Sequence, residues 1–292
     1  MSKNARPRRS VLYMPGSNKR ALEKGRTLAA DGLILDLEDA VAPDAKEKAR
    51  GQIRDAIKEG GYGKRELIVR VNAMDASWGH DDLVAAATMG ADAVLLPKVE
   101  SASTVHQAEA ILETSGAPED LAVWCMMETP LGMLHAEEIS EASPRVGALV
   151  MGTSDLAKDL QCADTRDRLP FITSLGLCLL AARAAGIAIL DGVHLDLNDD
   201  EGLEHSCRQG AELGFDGKTL IHPKTIDAAN RAFAPSPEEV EWSKKIIAAH
   251  AEAVEEGQGI VVVDGKLIEN LHVLNAERLV AMAQAIEEME NA

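Results

Sequence analysis

Short apolar runs recur along the chain at a regular interval. Ser10–Met14 (SVLYM), Gly32–Leu37 (GLILDL), Leu67–Val71 (LIVRV) and Ala93–Leu96 (AVLL) are the first four. Leu121–Met127 (LAVWCMM), Val146–Met151 (VGALVM), Ile187–Leu190 (IAIL) and Gly217–Ile221 (GKTLI) complete a set of eight. These runs are nearly continuous rather than alternating, as expected of parallel strands covered on both faces. Between them, Ala45–Lys58, Asp81–Met89, Thr104–Thr114, Leu131–Glu141, Phe171–Ala185 and Asp200–Leu213 place apolar residues at helical spacing. Small residues precede several strands, as in Gly90-Ala91-Asp92 and Gly214-Phe215-Asp216. That is how a helix ends and feeds a strand. Eight such alternations predict an α/β fold, a (β/α)8 TIM barrel, over residues 1–234. A doubly wound open sheet is the rival. It calls for a glycine-rich dinucleotide loop after the first strand, and Pro15-Gly16-Ser17-Asn18 is not one.

A second pattern follows in residues 235–292. Ser236-Pro237 reads as a helix start, and the helix runs to about Glu256, ended by Gly257-Gln258-Gly259. Ile260–Val263 and Lys266–Ile268 flank Asp264-Gly265, a two-residue hairpin signal. A last helix covers Leu271–Met289. This helix–hairpin–helix reads as an extension of the barrel, a lid or an oligomer contact.

Composition narrows the function classes. The 292 residues are 46% hydrophobic and 27% charged, an ordinary globular balance. Aromatics are only 3%, so Ala, Val, Leu, Ile and Met must build the core. A formal charge of −18 repels nucleic acid and anionic membranes, so neither is an expected partner. Cys125, Cys162, Cys178 and Cys207 show no CxxC spacing, which fits a reducing cytoplasm. The basic start MSKNARPRRS has no apolar stretch behind it, so it does not read as a secretory signal.

In a barrel the chemistry gathers at the carboxyl ends of the strands. Those ends carry Asp36, Glu38 and Asp39, Arg70 and Asn72, Lys98, Glu128, Ser154 and Asp155, Asp191 and His222. Arg70 inside LIVRV needs an anionic partner, either structural (Asp36 or Glu38) or a ligand. Glu128 and Asp155 come from neighbouring strand ends and can share one hard cation with waters and substrate oxygens. Pairing of each with Arg70 or Lys98 explains them equally well. No His/Cys cluster suggests zinc, and no nucleophile motif suggests covalent catalysis.

Seven phrases then occur in order: RSVLYMPGSNKRALEK (Arg9–Lys24), LDLEDAVAPDAKEKAR (Leu35–Arg50), IVRVN (Ile68–Asn72), LLPKV (Leu95–Val99), METPLGM (Met127–Met133), MGTSDLAKDL (Met151–Leu160) and GKTLIHP (Gly217–Pro223). Together they resemble the citrate lyase beta-subunit-like enzymes, which include malyl-CoA and citramalyl-CoA lyases and malyl-CoA thioesterases. The resemblance implies magnesium, with manganese as a substitute, on Glu128 and Asp155. It implies Arg70 on the substrate's oxo or carboxylate oxygens, and Glu38 and Asp39 on metal-bound waters. Tyr13 and Lys24 match positions that contact coenzyme A. Ser154 with Asp155, and Ile221 with His222, match substrate contacts. The implied substrate is an acyl-CoA such as malyl-CoA, and the implied assembly a homo-oligomer, a trimer or hexamer. Two departures stand out. Asn18 stands where malyl-CoA lyases can have a CoA-binding arginine, a role left to Lys19 or Arg20. Glu269 stands where the lyase lid carries a catalytic aspartate to the neighbouring subunit. Carbon–carbon cleavage and thioester hydrolysis both remain open on this reading. So do a beta subunit of a citrate lyase complex and a CoA-independent aldolase of hydroxy-oxo acids.

Overall fold

A computed structural model describes residues 6–291. Eight parallel strands close into one barrel in chain order, with β8 returning to β1. The strands are β1 (Ser10–Pro15), β2 (Gly32–Asp36), β3 (Glu66–Arg70), β4 (Ala93–Leu96), β5 (Ala122–Met127), β6 (Val146–Met151), β7 (Ala188–Asp191) and β8 (Gly217–Leu220). Around them run α1 (Lys19–Gly25), α2 (Lys46–Glu59), α3 (Gly79–Ala86), α4 (Ala102–Thr114), α5 (Pro130–Leu134), α6 (Ala136–Ser140), α7 (Thr153–Leu160), α8 (Ile172–Ala185), α9 (Asp200–Leu213) and α10 (Ile226–Phe233). The barrel is the one expected. The single helix expected over Leu131–Glu141 is two, because His135 leaves helical geometry at φ −103°, ψ 15°. Its Nδ1 lies 2.7 Å from the Glu100 carbonyl oxygen. Helices α1, α7 and α10 were not anticipated. Each is only seven or eight residues long, too short for periodicity to register.

Two apolar layers build the barrel. Val11, Ile34, Ile68, Leu95, Trp124, Val150 and Leu190 fill its interior. Leu12, Leu33, Leu35, Val69, Val94, Cys125, Leu149 and Ile189 face outward against the helices. This is the period of two written into both faces of each strand, and it explains the unbroken apolar runs. At the amino ends of the strands, the Arg8 guanidinium lies 5.3 Å from the Trp124 ring centroid and pairs with Glu66 at 2.6 Å.

One ionic cluster lies wholly inside the wall. Leu190 points inward, so Asp191 points out toward the helices, opposite Lys218 on β8. Both are 0% exposed. Asp191 accepts hydrogen bonds from Lys218 Nζ at 2.8 Å and from Arg168 Nη1 at 2.6 Å. Burial by itself would raise the Asp191 carboxyl, but Lys218 and Arg168 hold it below the usual range.

A second compact unit, after Phe233, contains α11 (Pro237–Glu255), β9 (Val261–Val263), β10 (Lys266–Ile268) and α12 (Asn270–Glu290). Ser236 caps α11 with a reciprocal box: Glu239 N–H donates to Ser236 Oγ at 3.2 Å, and Ser236 N–H to Glu239 Oε2 at 2.8 Å. Asp264 (φ 46°) and Gly265 (φ 76°) make the left-handed pair that a two-residue hairpin requires. Ile246, Val263, Ile268, Val273 and Ala276 form this unit's own core. No helix among the described residues is long and apolar enough to cross a membrane.

The Asp191 cluster sets a testable limit on stability. Asp191→Ala leaves two cations buried without their counter-charge, and urea denaturation should show a loss of about 3–5 kcal/mol. Because the folded-state carboxyl is depressed, the native pair contributes fully above the unfolded value of about 4. That contribution disappears only as pH falls through the lower folded value. A loss under about 1 kcal/mol at neutral pH would contradict this account.

Candidate active site at the barrel mouth

Beyond the interior core, the same inward face of each strand turns polar. Asp36 and Arg70 stand opposite each other in the β2–β3 register. Arg70 Nε donates to Asp36 Oδ1 and Nη2 to Oδ2, both at 2.6 Å. Arg70 Nη1 lies 2.8 Å from Glu38 Oε2, close but without hydrogen-bond geometry. The guanidinium also sits 4.7 Å from the centroid of the Tyr13 ring, a cation–π distance. Asp36 accepts two further hydrogen bonds, from Glu38 N–H at 2.8 Å and Ala40 N–H at 3.1 Å. A single buried acid therefore holds both the arginine and the turn that carries Glu38 and Asp39. The anionic partner that Arg70 required is structural. A guanidinium has five N–H donors, and Asp36 occupies two of them, so donors remain for a ligand.

Glu128 follows β5 and is 2% exposed. Its Oε1 accepts the Lys98 backbone N–H at 2.7 Å. Burial pushes its carboxyl up to about 8, helped by the nearby charges of Glu38 and Asp155 and opposed by the Lys98 N–H and Arg70. Asp155 lies in the first turn of α7, where the helix dipole favours an anion. Its Oδ1 accepts from Lys158 Nζ at 3.2 Å on the solvent side. The ion pairs of Arg70 go to Asp36, Glu38 and Asp39, and that of Lys98 goes to Glu38. Glu128 and Asp155 are thus not the salt-bridge partners of those two cations among the described residues.

These groups surround a cavity of about 360 Å³. Asp36, Asp39, Glu128 and Asp155 line it against a single guanidinium, Arg70. Tyr13, Met126, Met151, Val193, Leu195 and Ile221 supply the apolar part of the wall. Four carboxylates and one cation would repel an anionic ligand unless a further positive charge joined them. Burial has already made the ionised form of Glu128 costly, and a cation would relieve that cost. The donor set therefore fits a hard divalent ion. Among the described residues no three His, Cys, Asp or Glu side chains converge as a protein-only cage. An ion here would draw its remaining ligands from water and substrate, as magnesium commonly does.

The other expected residues divide. Ser154 and Ile221 line the cavity. Tyr13 also lines it, with its hydroxyl donating to Met126 Sδ at 3.8 Å, and burial pushes the phenol up despite Arg70. His222 is exposed, and its Nδ1 accepts the Lys224 N–H at 3.1 Å as a helix cap. Lys24 is exposed in the last turn of α1. Asn18 caps that helix through Ala21 N–H at 3.2 Å, and Lys19 and Arg20 are exposed in its first turn. Glu269 belongs to the second unit, as the N-cap of α12, and its N–H donates to His272 Nδ1 at 3.1 Å. Sequence reasoning passed over Met126 and Thr219, which also line the cavity. Alternation signalled both, since Met126 lies two residues before Glu128 on one strand face and Thr219 lies two after Gly217.

A closed (β/α)8 barrel with acids and one arginine at the carboxyl ends of its strands places this protein in the class of barrel enzymes. The chain belongs to the HpcH/HpaI aldolase/citrate lyase family, which matches residues 9–223. A relative named (3S)-malyl-CoA thioesterase, from Cereibacter sphaeroides strain ATCC 17025, is 51% identical over 286 residues, 98% of each chain. The citrate lyase subunit beta of Escherichia coli K12 is 36% identical over 283 residues, covering 95% of this chain and 93% of its own. Among solved structures, CitE from Mycobacterium tuberculosis in complex with magnesium, acetoacetate and coenzyme A superposes with a TM-score of 0.75. It is 30% identical, and the match covers 94% of this chain and 97% of that one.

The anchoring role of Asp36 has a direct test. Asp36→Ala strips a buried guanidinium of its bidentate partner and releases two backbone N–H groups. Chemical denaturation should show a loss of about 3 kcal/mol or more. Retention of full stability would mean that Glu38 alone suffices to hold Arg70.

Proposed function

We propose that this chain is a magnesium-dependent enzyme that hydrolyses the thioester of (3S)-malyl-CoA or a close β-hydroxyacyl-CoA. The observation that carries this reading is the 51% identity to a (3S)-malyl-CoA thioesterase along 98% of both chains. The cavity agrees with it chemically, since an acid-rich mouth with one arginine suits an anionic acyl group that arrives with a divalent cation.

In this reading Glu128 and Asp155 hold the ion. When bound, it supplies positive charge for the acyl group's hydroxyl and carboxylate oxygens. Arg70, held in place by Asp36 and the Tyr13 ring, offers its remaining N–H donors to the thioester carbonyl oxygen, where charge develops. The protein places these donors in advance, so no reorganisation is needed at that moment. Glu38 and Asp39 at the rim orient water, and Ser154, Ile221 and His222 border the acyl group. Tyr13 and Lys24 contact coenzyme A, with Lys19 or Arg20 serving its phosphates. Glu269, brought by a second copy of the chain, takes a proton from water as the water oxygen attacks the carbonyl carbon. The carbon–sulfur bond then breaks, and the leaving CoA thiolate takes the proton back from Glu269. The barrel is catalytic and the unit that follows it is the lid in a homo-oligomer, a trimer or hexamer, working in the cytoplasm.

Carbon–carbon cleavage is the second reading. It is favoured by the 36% identity to a citrate lyase beta subunit and by the likeness to CitE bound to magnesium, acetoacetate and coenzyme A. The same groups would hold a 2-oxo acid product and stabilise an acyl-CoA enolate. The two readings part at Glu269. Glutamate is one methylene longer than aspartate, and a misplacement of about 1 Å in a catalytic group can cost about a hundredfold in rate.

One assay separates them. Purified protein is incubated with malyl-CoA and magnesium, and the products are quantified. Malate with free CoA marks hydrolysis, and glyoxylate with acetyl-CoA marks cleavage. No turnover of any CoA ester would sink both readings and leave a partner-dependent subunit or a CoA-independent aldolase. Glu128→Gln and Asp155→Asn should each lower kcat/KM by about 10²–10³, and a chelator should abolish turnover until magnesium is restored. Glu269→Asp should move product toward glyoxylate. An unchanged product ratio would reject Glu269 as the residue that sets the outcome.

A further inference from the structure

We propose that Gly152 and the left-handed turn at Lys98 form a two-sided clamp that orients Glu128, and so decide which of its oxygens faces the cavity. This rests on the reading of Glu128 as a metal ligand. On one side, Lys98 adopts φ 49°, a conformation uncommon for any residue with a side chain. The turn points its N–H at Glu128 Oε1, 2.7 Å away. Val99 N–H, next in the chain, donates to the Met126 carbonyl at 3.3 Å and ties the turn to β5. On the other side, Gly152 N–H donates to the Met127 carbonyl at 2.8 Å, which fixes its Cα beside the Glu128 side chain. A Cβ on Gly152 would lie 2.4 Å from Glu128 Cβ and 2.7 Å from Oε2.

The backbone at Gly152 has φ −105° and ψ 75°, a negative φ that does not call for glycine. Space is therefore what glycine supplies there. A methyl group would clash with both the Cβ and the carboxylate of Glu128, so the whole side chain would have to shift, with Met126 Cε at 3.1 Å leaving little room on its other side. Oε1 already accepts the Lys98 N–H, so the clamp leaves Oε2 as the less committed oxygen. Both sides act through Glu128, so Gly152 and Lys98 are positioning residues.

The test is calorimetric titration of Mn²⁺ into the full chain, with thermal unfolding measured alongside. Gly152→Ala should weaken Mn²⁺ binding about tenfold or more while the folded spectrum is retained. Gly176→Ala serves as a control, since a Cβ there meets nothing within 4 Å, and it should bind as the unaltered chain does. Lys98→Gly and Lys98→Val both lose the ammonium but differ in tolerance of positive φ. Lys98→Val should therefore bind several-fold more weakly than Lys98→Gly. Gly152→Ala binding as tightly as the unaltered chain would overturn the clamp. Should Gly152→Ala not fold, equal affinities for the two Lys98 variants would overturn it. An unaltered chain that binds no Mn²⁺, and in which Glu128→Gln leaves turnover intact, would instead sink the metal reading and remove the clamp's purpose.

Discussion

The bidentate pair between Asp36 and Arg70 is the constraint on which the barrel mouth depends. A guanidinium cannot be left unpaired where Arg70 is, 6% exposed above an apolar barrel core. Asp36 meets both of its near-side nitrogens, and by accepting from Glu38 and Ala40 it also shapes the loop that follows β2. The Tyr13 ring closes the remaining face. The arginine therefore reaches the cavity with its position settled and some donors free, which is the preorganisation that electrostatic stabilisation of a reacting oxygen needs.

That pairing has a consequence for charge. Asp36 and Glu38 take the ion pairs of Arg70. Among the described residues no cation lining the cavity forms a salt bridge with Glu128 or Asp155, and Lys158, the partner of Asp155, lies on the solvent side. Glu128 in particular is buried, held at one oxygen by the Lys98 N–H and raised toward the neutral form. A divalent cation would resolve this imbalance, and an anionic acyl group would benefit from the same ion. The cavity's acidity is thus compatible with an anionic substrate, although the chain as a whole carries a charge of −18.

Nearly the whole barrel was legible in the residues. Its strands lie between two apolar layers, so their hydrophobic runs are unbroken, and all eight surfaced with ends shifted by a residue or so. The helix–hairpin–helix that follows was equally plain, because Ser236-Pro237 and Asp264-Gly265 are local signals that need no tertiary help. The break at His135 and the short helices α1, α7 and α10 were not, since each depends on contacts from elsewhere or is too brief to show a period.

The candidate site divides along the same line. Residue type and position at the strand ends already singled out Arg70, Glu128 and Asp155, because charges rarely end apolar strands without a reason. Pairing could not be read there. Whether Arg70 met Asp36, Glu38, Glu128 or a ligand is a question of register across strands, and β2 against β3 answered it with Asp36. The same holds for the space beside Glu128, where a glycine in MGTSD looks like any turn glycine until its missing Cβ is found against a carboxylate. Sequence by itself determined the fold and the list of chemical groups, since both follow from local pattern. Only the tertiary structure decided which charge neutralises which, since that depends on distances between segments far apart in the chain.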